Sequence, residues 1–131
     1  MFETADFILH SGKKSNWKID CDILTSGDWA TLARLAVDLL PPYDYVYGIK
    51  TGGIPFAEAM QRYIRNPSLH KRLLIVDDVL TTGGSFMKTR ELHASEWPSI
   101  IGCAAFARGD CPDWVIPLFI LHKRLRNETH A

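Results

Sequence analysis

Apolar residues Trp29, Leu32, Leu35, Ala36, Leu39 and Leu40 recur at three- and four-residue intervals, the spacing of one face of an α-helix. Ser26 or Asp28 can cap the start of that helix, and Pro41-Pro42 stops it. Upstream, residues 17–24 partly alternate between apolar and polar and read as a strand. Downstream the period changes. Residues 45–49 form a short β-rich run, followed by Lys50-Thr51-Gly52-Gly53 and a helical stretch over 56–63, with Pro55 in its first turn where a missing N–H is tolerated. Leu73-Leu74-Ile75-Val76 is apolar at every position, as expected of a strand covered on both faces at the centre of a parallel sheet. Asp77-Asp78 and the turn Thr81-Thr82-Gly83-Gly84-Ser85 come next, then a helix over about 86–96 that Pro98 ends. Residues 100–106 and 114–121 give two more strands.

Strand, loop and helix therefore alternate, which predicts an α/β domain with a mainly parallel sheet flanked by helices. At 131 residues the chain is one domain, with an N-terminal segment at 1–27, a core at 28–121 and a short basic, solvated tail at 122–131. Trp29, Phe56 and Trp114 are assigned to the core rather than to an interface.

Charge narrows the partners. Fifteen Lys and Arg balance fifteen Asp and Glu, so the chain has no general basic field for nucleic acid or an acidic membrane. The three cysteines, Cys21, Cys103 and Cys111, include no CxxC pair, which suggests neither a disulfide framework nor a closed zinc site and favours a reducing compartment. The first residues show no basic region leading into an apolar run, and no apolar stretch approaches the roughly 18 residues of a membrane span. The expectation is a cytoplasmic protein with small-molecule partners.

Open parallel sheets place ligands where strand C-termini meet helix N-termini, and two glycine-bearing loops lie at such places. In residues 73–85, backbone N–H groups of Thr81, Thr82, Gly83, Gly84 and Ser85 make an anion nest at a helix start, and three hydroxyls add donors. Asp77 and Asp78, just upstream, can accept from two adjacent hydroxyls. Phosphate plus vicinal diol describes a ribose 5-phosphate. The acidic pair also suggests a response-regulator receiver, but in that family the pair follows the first strand, and too little chain remains after position 78. Neither GxxxxGK[ST] nor GxGxxG occurs.

Residues 73–85 resemble the signature of the type I phosphoribosyltransferases, which use phosphoribosyl pyrophosphate (PRPP). The resemblance implies that Asp77 and Asp78 hold the ribose hydroxyls and that Thr81, Thr82, Gly83, Gly84 and Ser85 hold the 5-phosphate. The second loop, Lys50, Thr51, Gly52 and Gly53, is similar to the family's diphosphate loop. Mg²⁺ would then arrive with PRPP, held mainly by substrate oxygens and water and helped by Asp77 and Asp78.

Phe7-Ile8-Leu9-His10-Ser11-Gly12-Lys13-Lys14-Ser15-Asn16-Trp17, together with Gly52-Gly53-Ile54-Pro55, most resembles the orotate phosphoribosyltransferases, whose N-terminal segment forms a hood over the base. By that likeness Arg108 faces a pyrimidine carboxylate, a bidentate pairing. His10, standing where the orotate group usually has Lys, is either a substitute donor to the base or a surface histidine. The family also implies a homodimer. Two departures stand out: Lys18-Ile19 replaces aromatics near the base, and the span from Gln61 to Arg72 leaves no room for the orotate enzymes' mobile catalytic loop. The implied activity is Mg-dependent transfer of phosphoribose to a nucleobase, orotate first, releasing diphosphate. The alternative is a non-catalytic PRPP- or nucleotide-binding regulator, or a subunit completed by a partner.

Overall fold

The computed structural model describes residues 21–64 and 71–121. A 3-10 turn (Cys21–Ile23) leads into α1 (Ser26–Leu39), β1 (Tyr45–Gly48), α2 (Ile54–Gln61), β2 (Arg72–Leu80), α3 (Gly84–His93), β3 (Ser99–Ala107) and β4 (Val115–Ile120). Of the strand expected over 17–24, residues 17–20 lie outside the described residues. The rest is the 3-10 turn, because Leu24 N–H returns to Cys21 C=O at 3.1 Å to set up the helix start.

The cap of α1 is Thr25, neither Ser26 nor Asp28. Thr25 Oγ1 accepts from Asp28 N–H at 3.1 Å, and Asp28 Oδ2 accepts from Thr25 N–H at 2.9 Å, a reciprocal capping box. The buried stripe also differs from the expected one. It is Trp29, Leu32, Ala33 and Ala36, while Leu35 and Leu39 are 45% and 55% exposed. The small Ala33 and Ala36 let α1 close onto α2, where Phe56, Ala57, Ala59 and Met60 are buried in the same cluster.

The four strands lie parallel in the order β1-β2-β3-β4, with Val46 opposite Leu74 and Val76 opposite Cys103. β2 has a neighbour on each side, which accounts for its continuous apolar run: Leu73, Leu74, Ile75 and Val76 are fully buried. Trp29 and Phe56 from α1 and α2 pack with Leu74 and Val76 on one face. Phe86 from α3 packs with Leu73 and Ile75 on the other. Trp29 and Phe56 are core residues as expected, and Trp114 is half-buried with its ring edge-on to Phe86 at 5.9 Å.

The steps from β1 to β2 and from β2 to β3 run in the same direction, yet α2 and α3 lie on opposite faces. The two crossovers therefore have opposite hand, and one departs from the right-handed rule. The departure goes with the short connection after α2, which returns the chain directly to the strand beside β1.

β2 is longer than the apolar run suggested and carries Asp77 and Asp78 inside its second half. Its facing also slips there. Leu73, Ile75 and Leu80 pack on the α3 side, whereas Leu74, Val76 and Val79 pack on the α1–α2 side. Each carboxylate takes the next backbone N–H: Asp78 N–H donates to Asp77 Oδ1 at 2.8 Å and Val79 N–H to Asp78 Oδ1 at 2.7 Å. The acidic pair is thus built into the strand backbone.

Candidate functional site

The loops after β1 and β2 emerge side by side, because Gly48 is in register with Val76 and Ile49 N–H donates to Val76 C=O at 2.9 Å. A capping box closes the N-terminus of α1, but neither α2 nor α3 has a side-chain cap. At α2, however, Ile54 N–H is already bonded to Thr51 C=O at 3.2 Å and Pro55 has no N–H, so the helix start that an anion would satisfy is that of α3.

At the second of these loops, Asp77, Val79, Leu80, Phe86 and residues 81–85 line one open cavity. Gly83 begins α3 in the left-handed region (φ 86°), which turns the chain so that Thr81, Thr82 and Ser85 are exposed at the rim. Gly84 N–H leans back to Thr82 Oγ1 at 3.3 Å. The residues expected to bind phosphate therefore share one cavity, with Asp77 beside them.

Asp78 faces the other loop. An ideal Cβ on Gly52 would stand 2.6 Å from Asp78 Cγ, so the carboxylate lies directly on the Gly52 α-carbon. The two acids hence have different neighbours: Asp77 lines the cavity with residues 81–85, and Asp78 borders the β1 loop. Strand alternation sends adjacent residues to opposite faces, but which loop each acid meets depends on where α2 and α3 pack.

Burial raises the Asp77 carboxyl first, a hydrogen bond with Asp78 and the charge of Asp78 raise it further, and its pKa reaches about 7. The bond from Asp78 N–H offsets this only partly. A pair in which one member readily holds a proton can offer both an acceptor and a donor to vicinal hydroxyls, and it gains full charge once a cation arrives.

In the β1 loop, Lys50 and Thr51 are exposed and their peptide bond is cis. Gly53 departs from its expected part in the anion nest. It is buried, its N–H donates to Ile49 C=O at 2.8 Å, and a Cβ there would stand 2.6 Å from Val76 C=O. Gly53 is a packing glycine that seats the loop on β2, so the N–H groups of Thr51 and Gly52 and the ammonium of Lys50 remain for a ligand.

Arg108 is exposed at the end of β3, its N–H bonded to Leu80 C=O at 2.8 Å, at the same edge of the sheet as the cradle. His10 lies outside the described residues. Arg65 and His70 of the basic connection lie outside them too, while Lys71 and Arg72 sit at the N-terminal start of β2. A nine-residue strand, roughly 30 Å long, separates those two from the loops, so they do not contribute to this site.

Among the described residues, no group of three or more His, Cys, Asp or Glu could hold a metal ion, and no helix is long and apolar enough to cross a membrane. The carboxylates of Asp77, lining the cavity, and Asp78, against the β1 loop, fit a Mg²⁺ shared with a ligand's oxygens.

The fold is shared with known proteins. The computed fold superposes on orotate phosphoribosyltransferase from Aeropyrum pernix with a TM-score of 0.66 at 22% identity, covering 88% of this chain and 85% of that one. It superposes on the Mycobacterium tuberculosis orotate phosphoribosyltransferase bound to PRPP with a TM-score of 0.69 at 19% identity, covering 92% and 90%. The fold is that of the type I phosphoribosyltransferases.

In sequence the chain is most like the orotate phosphoribosyltransferases. It is 29% identical to that of Sorangium cellulosum over 79% of this chain and 71% of the relative, and 29% identical to that of Sulfurisphaera tokodaii over 74% and 62%. Against the Methanothermobacter thermautotrophicus enzyme it is 30% identical over 66% and 61%, so it spans well under the full length of these relatives. No protein-family model matches. The Sorangium alignment runs over 137 residues while taking in 79% of a 131-residue chain, so that relative carries an insertion absent here. The short connection between α2 and β2 fits such a deletion.

Proposed function

We propose that this protein binds Mg²⁺–PRPP and transfers the phosphoribosyl group to a nucleobase, with orotate the first acceptor to test. One observation carries the reading: Gly52 brings the β1 loop onto Asp78, so phosphate cradle, acidic pair and second anion loop form one continuous surface. The solved relative bound to PRPP supports it.

In this reading residues 81–85 hold the 5-phosphate and the acidic pair accepts from the ribose hydroxyls. Lys50 and the N–H groups of Thr51 and Gly52 meet the diphosphate. Displacement of diphosphate from C1 by a ring nitrogen passes through an oxocarbenium-like state, so the chain works by positioning and by stabilising the leaving group's charge, with no covalent nucleophile. Bound Mg²⁺, near Asp77 and Asp78, would supply positive charge to the diphosphate. Arg108 stands on the base side, and a homodimer in the cytoplasm is the expected state.

The short connection favours a second reading, a PRPP-binding regulator or a subunit completed by a partner. Diphosphate release from PRPP and Mg²⁺, assayed with orotate and then with other bases, separates the two. Base-dependent release establishes the transferase and its acceptor. PRPP binding without release for any base establishes the second reading.

A further inference from the structure

We propose that Gly52 is a positioning residue that sets where the Asp78 carboxylate stands, so the diphosphate loop fixes the grip on the ribose hydroxyls. This rests on the site's reading as a PRPP site.

Three observations carry it. Asp78 Oδ1 is tied to Val79 N–H at 2.7 Å, and the same carboxylate lies against Gly52. Any Cβ on Gly52 would stand 2.6 Å from Asp78 Cγ and 2.7 Å from Oδ1, far inside contact distance.

The loop cannot retreat. Gly53, the next residue, would place a Cβ 2.6 Å from Val76 C=O and 2.8 Å from Ile49 N and C=O, and Ile49 is itself bonded to Val76. With Gly53 locked to the β2 backbone, Gly52 acts as a fixed wall.

Glycine is required at 52 for space and not for conformation. Among the described residues the positive-φ glycines are Gly83 and Gly109, so alanine fits the backbone at 52 without torsional strain. The response to Gly52→Ala therefore falls on Asp78, a side chain that can swing away while the fold stays intact.

The test is a double-mutant cycle on the full chain: wild type, Gly52→Ala, Asp78→Ala and the double variant, titrated with ribose 5-phosphate and separately with inorganic diphosphate. Gly52→Ala should weaken ribose 5-phosphate by about tenfold or more, which is about 1.4 kcal/mol. Whatever Gly52→Ala does to diphosphate binding, the change should be the same with Asp or Ala at 78, because that contact does not run through Asp78. In the Asp78→Ala background, Gly52→Ala should have no further effect on ribose 5-phosphate. An equal loss in both backgrounds, or no loss in the single variant, overturns the proposal. If Gly52→Ala does not fold, Asp78→Ala must rescue it, and failure to rescue overturns the proposal as well. A wild-type chain that binds neither ribose 5-phosphate nor PRPP instead removes the phosphoribosyl reading, and the positioning role with it.

Discussion

Gly83 and Pro112 face each other across the start of α3: an ideal Cβ on Gly83 would lie 3.6 Å from the proline ring carbons. That is ordinary contact, so there is room for a methyl group. The obstacle to substitution is the φ of 86°, where an L-residue is strained by about 1–2 kcal/mol. Gly83→Ala should lower stability by that amount in urea denaturation and weaken phosphate and ribose 5-phosphate binding. Full stability with unchanged affinity would show that the turn does not depend on glycine.

Asp77→Asn combined with Asp78→Asn should abolish PRPP binding and leave the fold intact, since both side chains sit at the open end of β2 and amides still accept from the following N–H groups. Calorimetric titration of PRPP with Mg²⁺ is the check, with circular dichroism for the fold. Unchanged affinity would remove the acidic pair from the ribose site.

The raised Asp77 carboxyl predicts a pH-dependent stability. Its pKa is about 7 in the folded chain. Against roughly 3.9 in the unfolded chain, the folded state holds a proton that the unfolded state has lost between those values. The associated stability is fully present below about pH 4 and is lost as pH rises through about 7. Discounted for the partial exposure of the group, its size is on the order of 1 kcal/mol. Urea midpoints of the ligand-free protein should fall between pH 5 and pH 8 by that amount, and Asp77→Asn should flatten the profile. A wild-type profile already flat over that range contradicts the assignment.

Tyr43 gives a contrasting control. Its hydroxyl donates to Met60 C=O at 2.8 Å, and burial, before the charges of Cys103 and Tyr63, pushes its ionisation far above the usual tyrosine range. Tyr43→Phe should cost about 1 kcal/mol through the lost hydrogen bond. PRPP affinity should be unchanged, because Tyr43 precedes β1 at the end of the sheet opposite the loops. A parallel loss of PRPP affinity would show that the two ends are coupled.

The sequence by itself determined the order of strands and helices, the central place of β2 and the positions of both glycine loops. These are local signals: a fully apolar run, prolines that stop helices, and glycines next to hydroxyl and acidic residues. The cap of α1 was missed by one residue because the Thr25–Asp28 exchange is reciprocal, and pattern alone does not rank neighbouring capping residues. The buried stripe was displaced because Leu35 and Leu39 look better buried than Ala33 until α2 is seen to need the small residue. Alternation along β2 puts adjacent Asp77 and Asp78 on opposite faces. Only the tertiary structure decided that Asp77 lines the cavity at residues 81–85 while Asp78 lies on Gly52. That choice follows from the placement of α3 and of the β1 loop, which depends on contacts between segments far apart in the chain. Gly53 adds a second case: its N–H looks free in a glycine-rich loop but is bonded to Ile49 C=O, and its α-carbon packs against the Val76 carbonyl of β2.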